Sequence, residues 1–275
     1  MNRLKEIFFP SFPIKDGDIE NYLNNLNLEI EAGLYEKSEL TLLLTRKLYG
    51  RYLSFKNKQF FLYHFIPLWE YSIKKIFNYK KEPNVLDLGC ATGTSSFLFS
   101  SMGAKTIGVD LQEELISICN KRKNIYTKSY KNFEGSYFQS DVFLFPYENY
   151  APFDVIFSLF AFNLMQPSKK LIEKIIPSLT DGGIIIIIDG NQSSIYSKLI
   201  PSRKRNSVLK PSELKDLLKI YNFSTVDLKY FCFIPPIFFR FKFLLFIGKI
   251  IEKCILFLKL EKIFGTTFSI TAVKK

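Results

Sequence analysis

Between Asn84 and Asp110 the chain reads NVLDLGCATGTSSFLFSSMGAKTIGVD. A short apolar run, Val85 to Leu88, passes through Gly89, Ala91 and Gly93 into a stretch with Phe97, Leu98 and Met102 on its inward side. A second run, Lys105 to Val109, ends on Asp110. Strand, small-residue turn, helix and strand in this order form the unit from which a parallel sheet builds a nucleotide pocket. The glycine spacing then restricts the ligand. A dinucleotide site needs G-x-G-x-x-G so that a helix N-terminus approaches a pyrophosphate closely. Counted from Gly89, the second and third places hold Ala91 and Thr94. The pattern is instead Asp-x-Gly-x-Ala-x-Gly, from Asp87 to Gly93. An acid at the strand end repels a pyrophosphate and suits a cationic ligand with an amino group.

Asp87-Leu88-Gly89-Cys90-Ala91-Thr92-Gly93, with Asp110 after the second strand, resembles motif I and the following acidic position of class I S-adenosylmethionine-dependent methyltransferases. Ala91 stands where a middle glycine is more usual. The resemblance implies an α/β, Rossmann-like fold with a seven-stranded, mostly parallel sheet and an antiparallel last strand. It implies S-adenosyl-L-methionine as cofactor. The backbone of Gly89, Cys90, Ala91 and Gly93 would cradle the cofactor's amino acid end with help from Asp87, and Asp110 would take the ribose hydroxyls, with Leu111 beside it. Asp141, followed by Val142, resembles the position where a side chain meets the adenine amino group and an apolar neighbour packs on the ring. Ser158 completes the implied cofactor set. Carboxylates suit these places because they accept from hydroxyl and amino donors.

The 275 residues, 47% hydrophobic and 23% charged, suit one large α/β domain with additions. We read 1–82 as a helical N-terminal cap and 83–275 as the methyltransferase domain, with an insertion at about 234–265. A formal net charge of +12 favours an anionic partner, nucleic acid or a membrane surface. Four scattered cysteines and a single histidine argue against a metal site or a disulfide framework, so a cytoplasmic, reducing compartment is expected. The apolar run at the start is broken by Pro10 and Pro13 and is too short for a signal peptide.

In the cap, helices are expected at Asp18 to Ala32, capped by Asp18, at Ser38 to Tyr49, capped by Ser38, and at about Phe60 to Phe77. Pro67 predicts a kink or a break in the third. By the resemblance, this cap covers the cofactor pocket and contributes to the substrate side. His64 lies off the apolar stripe of the third helix and is the candidate general base, set against an ordinary surface or packed residue.

Further on, a helix is expected at Gln112 to Lys121, ended by the basic Lys121, Arg122 and Lys123, then a loop from Lys128 to Gly135 and strand three at Ser136 to Gln139. Phe153 to Ser158 reads as a buried strand, Ser168 to Ile176 as a helix, and Asp181-Gly182-Gly183 as a turn before the strand Ile184 to Ile188. Ser202-Arg203-Lys204-Arg205 is a basic loop at the ligand end of the sheet, for an anionic substrate, a headgroup or solvent. A helix from Pro211 to Tyr221 and strands at Phe223 to Phe233 and Thr266 to Val273 complete the domain.

After the fourth strand the chain reads Ser158-Leu159-Phe160-Ala161-Phe162-Asn163. It lacks the Asn/Asp-Pro-Pro-aromatic motif with which family members hold the amines of bases or glutamine, which disfavours nucleobases. Asn163 stands where many small-molecule members have a polar residue, and is a candidate substrate contact. The expected acceptor is therefore a small molecule or a lipid-linked group, bound near an apolar, aromatic wall. An RNA methyltransferase, or a non-catalytic membrane-associated protein with this fold, remains as an alternative.

The closing hairpin is interrupted by Ile234 to Gly265, where a helix from Lys242 to Leu258 places Lys242, Lys249, Glu252 and Lys253 on a narrow polar face. Phe243, Leu244, Ile247, Ile250, Ile251, Cys254, Ile255 and Leu258 form the apolar one. From Lys229 to the end, nine Lys/Arg face two Glu, so +7 of the +12 sits here. The charges leave no uninterrupted apolar span, so residues 235–264 are read as a peripheral contact with the inner membrane face, or as packing on the domain's own core or a dimer interface.

Overall fold

The computed structural model of the chain describes residues 6–45, 58–130, 132–199 and 210–275. The run Ser202 to Arg205 and positions 46–49 of the second expected helix lie outside the described residues. Seven strands form one sheet in the order β3-β2-β1-β4-β5-β7-β6. They are β1 Asn84–Leu88, β2 Lys105–Asp110, β3 Glu134–Gln139, β4 Phe153–Leu159, β5 Leu179–Gly190, β6 Phe223–Phe231 and β7 Thr267–Lys274. β1 to β5 pair in parallel, and β7 runs antiparallel to both β5 and β6. The strand order reverses between β1 and β4, the switch point at which open α/β sheets bind ligands.

The isoleucine strand shows how the core is divided. Successive side chains of a strand point to opposite faces. Ile184, Ile186 and Ile188 join one hydrophobic cluster with Val85, Phe97 and Phe157, while Ile185 and Ile187 join a second with Leu86, Leu88 and Phe268. The first face is covered by helices α1 Asp18–Glu31, α3 Lys58–Tyr79, α4 Thr94–Ser100 and α5 Glu113–Ser129. The second is covered by α6 Ser168–Ile175 and α8 Pro211–Ile220. Short helices α2 Lys37–Thr45 and α7 Ile195–Leu199 lie outside these layers, and β6 and β7 are joined through α9 Lys242–Phe257 and α10 Glu261–Phe264.

Several local expectations are corrected. Gly17, at φ +87°, is the N-cap of α1, and Asp18 is its first helical residue, accepting from the Lys15 N–H at 2.8 Å. Glycine takes the left-handed conformation without steric cost, and the acid gains from the helix's positive end. Ser38 does not cap α2, which begins at Lys37, with the Glu39 carboxylate accepting from the Glu36 N–H. α3 runs unbroken through Pro67. The cost of an interior proline is about 3 kcal/mol. Against it stands the burial of Phe61, Phe65, Leu68, Trp69, Ile73 and Ile76.

α5 does not stop at Lys121 but continues to Ser129, and β3 begins earlier, at Glu134. The basic run is not a solvated helix end: Arg122 is buried, because an acid from α1 awaits it. Asp181-Gly182-Gly183 lies within β5 rather than before it, with Gly182 at φ +74°.

Candidate functional site

At the switch point, Gly89 and Gly93 have φ of +74° and +78°, and a Cβ on Gly89 would meet the Ala161 Cβ at 2.4 Å. The turn therefore lies directly against the segment after β4. Ala91 takes a positive φ of 50° without being glycine. Its N–H donates to Asp110 Oδ2 at 2.9 Å, while Asp110 Oδ1 accepts from the Gln112 N–H at 3.0 Å. Asp110 thus clips the turn to the end of β2 and keeps further lone pairs for hydroxyl donors.

A small, partly open cleft sits above this turn. Its floor is Asp87, Gly89, Cys90 and Ala91, its far side Thr94, Ser95 and Leu159, and its wall Phe61, Phe65 and Trp69 from α3. The Trp69 indole N–H donates to Ser95 Oγ at 3.1 Å, which fixes the wall to α4. Asp87 is buried and accepts from Ser96 Oγ at 2.5 Å. Burial pushes its pKa up to about 7, opposed by the Ser96 bond and helped by the Asp110 charge. Burial likewise pushes the Cys90 thiol well above its usual range.

Behind the turn, Arg122 Nε reaches Glu29 Oε1 and Oε2 at 3.2 and 3.0 Å, and its Nη1 donates to the Thr92 carbonyl at 2.7 Å. Tyr126 and Tyr35 both donate to Glu29, and the Tyr22 hydroxyl donates to the Thr94 carbonyl at 2.7 Å. α1 is thereby latched to the turn through groups removed from water.

Of the expected site residues, Asp87, Gly89, Cys90 and Ala91 meet in the cleft. Gly93 packs on Phe97 and Cys119 just behind it. Asp110, Leu111, Asp141 and Val142 continue from the turn along the ends of β2 and β3. Leu111 is exposed, Val142 is buried, and Asp141 Oδ1 accepts from the Phe143 N–H. The Ser158 hydroxyl is turned to the Leu88 carbonyl at 3.0 Å.

His64 stands beside the cleft rather than in its lining. Its ring packs on Phe65 and Phe160, at centroid distances of 5.0 and 5.6 Å, and its Nε2 lies 3.4 Å from Thr267 Oγ1. Asn163 is buried in the turn after β4 and is not among the lining residues; its N–H donates to Asp189 Oδ2 at 2.9 Å. The aromatic wall was missed in the sequence because Trp69 lies on the stripe that also reads as core. The preceding Phe61 and Phe65, one turn apart, were its signal.

These residues fit a cofactor with an α-ammonium and a sulfonium. A buried carboxylate lines the cleft, and the aromatic rings beside it face a cation favourably. Among the described residues, no group of His, Cys, Asp and Glu is placed to hold a metal ion.

Fold and site together define a Rossmann-like α/β protein with a cleft at the switch point of its sheet. A family model described as a methyltransferase domain matches residues 79–225, more than half of the chain. The chain belongs to that family, the class I S-adenosylmethionine-dependent methyltransferases. Among solved structures it is similar to magnesium protoporphyrin IX methyltransferase of Synechocystis PCC 6803 with bound SAH. The identity is 12%, the TM-score 0.57, and the match covers 95% of this chain and 100% of that one. It is also similar to a SAM-dependent methyltransferase of Archaeoglobus fulgidus, at 22% identity and a TM-score of 0.52, covering 76% and 94% of the two chains. A third, the 4+2 cyclase SpnF, gives 14% and 0.54, covering 76% and 80%. At these identities the likeness is one of fold. No curated protein matches the chain in sequence.

Proposed function

We propose that this chain transfers the methyl group of S-adenosyl-L-methionine to a small-molecule or lipid-linked acceptor that enters beside α3. The observation that carries this reading is the buried Asp87 carboxylate facing a cleft walled by Phe61, Phe65 and Trp69. The cofactor, when bound, supplies an already activated methyl group. The protein's part is to hold and orient. Alignment of two reactants supplies on the order of 7 to 11 kcal/mol of a barrier.

In this reading Asp87 and the turn from Gly89 to Gly93 hold the amino acid end, Asp110 the ribose hydroxyls, and Asp141 with Leu111 and Val142 the adenine. Ser158 supports the floor by tying β4 to β1. The rings of α3 exclude water from the reacting centre. His64, between Phe65 and Phe160, removes the acceptor's proton where the accepting atom carries one. Asn163 supports the loop after β4 through Asp189. The post-β4 segment and Phe160 form the acceptor's apolar wall, which favours a small or lipid-linked acceptor over a nucleobase.

Calorimetric titration with S-adenosylmethionine tests the first half: saturable binding is expected, and an Asp110→Ala variant that binds as well as the parent would overturn it. Incubation of cell extract with methyl-labelled cofactor, followed by mass spectrometry, identifies the acceptor. Label confined to RNA would refute the acceptor class.

A further inference from the structure

The helix α9 is seated on the domain by one side only. Gly248 and Ile255 are buried, and Glu252 accepts from the Tyr63 hydroxyl of α3 at 2.7 Å. A Cβ on Gly248 would come within 2.9 Å of Ile234 and 3.1 Å of Phe238, so no bulkier residue fits at this contact. Phe239, just before α9, packs on Phe60 and Tyr63.

The opposite side is apolar and uncovered. Ten of the eighteen exposed large hydrophobic residues among those described fall between Ile237 and Ile263, so they cluster rather than scatter. Phe243 and Phe257 are 71% and 85% exposed, and Phe246 and Ile250 lie between them on the same stripe. Lys242, Lys249 and Lys253 flank this stripe along one edge, all exposed. No salt bridge among the described residues engages Lys242, Lys249, Lys253, Arg240, Lys259 or Lys262.

A protein partner covering such a stripe would have to match both the aromatic rings and the row of unpaired cations. An anionic bilayer matches both without shape complementarity. Rings enter the headgroup and acyl boundary, and lysine stems extend to the phosphates. Among the described residues, no helix is long and apolar enough to cross a membrane, and α9 carries Lys249, Glu252 and Lys253 in its middle, so contact would be in plane.

We infer that α9 and the turn before it form a docking surface for an anionic phospholipid bilayer. The docked chain would bring α3, which carries Phe61, Phe65 and His64, to the membrane surface. Docking requires no methyl transfer, and so stands or falls apart from the proposed activity.

The test is flotation of the full chain with phosphatidylcholine vesicles, with and without phosphatidylglycerol, alongside calorimetry with S-adenosylmethionine to confirm that each variant is folded and binding. Flotation with the anionic vesicles is expected, and less of it at high salt. Lys242→Gln/Lys249→Gln/Lys253→Gln should weaken partitioning roughly a hundredfold, since each cation is worth about a factor of five at such a surface. Phe243→Ser/Phe246→Ser/Phe257→Ser should weaken it by at least about tenfold. The inference is overturned if the parent floats with neither vesicle. It is equally overturned if the phenylalanine variant converts a dimer to a monomer without changing flotation, which would assign the face to a second copy of the chain.

Discussion

Arg122 and Glu29 face one another with side chains 3% and 0% exposed, and the same guanidinium holds the Thr92 carbonyl of the turn between Gly89 and Gly93. A buried ion pair contributes little net stability when both partners are present, but a lone partner is costly. Glu29→Gln should therefore destabilise the fold by roughly 3 kcal/mol, read by urea denaturation, and should weaken cofactor binding in calorimetry. Glu29→Leu combined with Arg122→Met should recover most of the stability and little of the affinity. Equal recovery of both would mean that the network does not position the turn.

Asp87 gives a pH signature. Burial raises its pKa in the folded chain from the ordinary 3.8 to about 7, so between these values the folded state holds a proton that the unfolded state releases. Stability in the absence of cofactor should fall as pH rises from about 4 through 7, and Asp87→Asn should flatten that fall. Cofactor affinity should move the other way, rising between pH 6 and 8 as the carboxylate forms to meet an ammonium. Thermal melts and calorimetry across this range check both slopes, and a flat binding profile for the parent would remove Asp87 from the ammonium site.

Trp69 is the single tryptophan of the chain and lines the cleft, so its fluorescence reports on that cleft alone. Titration with S-adenosylmethionine should change its intensity or wavelength with the dissociation constant found by calorimetry. Trp69→Leu should lower affinity by about 1 to 2 kcal/mol through loss of ring contact and of the Ser95 bond. Unchanged emission at saturation would place the cofactor elsewhere.

His64→Gln should leave cofactor affinity near that of the parent, because the ring stands beside the cleft rather than in it. Turnover on an acceptor that must lose a proton should fall by about a hundredfold or more. A fall in cofactor affinity with unchanged turnover would make His64 a packing residue.

What could be read from the sequence followed from local chemistry. The strand-turn-helix unit from Asn84 to Asp110 appears in the structure as expected, because apolar runs and small turn residues act within a few positions of themselves. The ends of α9 were legible for the same reason, within one residue of Lys242 to Leu258. Features fixed by distant partners were not. Lys121 to Lys123 looked like a helix end because Glu29, the partner of Arg122, lies 93 positions away. The periodicity of α9 marked two faces but not which one turns inward. The buried side includes Glu252, held by Tyr63 at a separation of 189, and much of the apolar side faces outward. Trp69 could not be told from a core residue because only the folded chain opens a cleft in front of it.

The segment between β6 and β7 leaves and rejoins the sheet where Phe231 pairs with Thr267, next to each other on neighbouring strands. Its two ends are therefore fixed whatever lies between them. Between those ends it is held to α3 through Glu252 and Phe239, and by the Asn191 amide, which donates to the Lys262 and Gly265 carbonyls. The face proposed for docking and the turn proposed for the cofactor are thus joined through one helix, α3, which holds Glu252 by Tyr63 and Ser95 by Trp69.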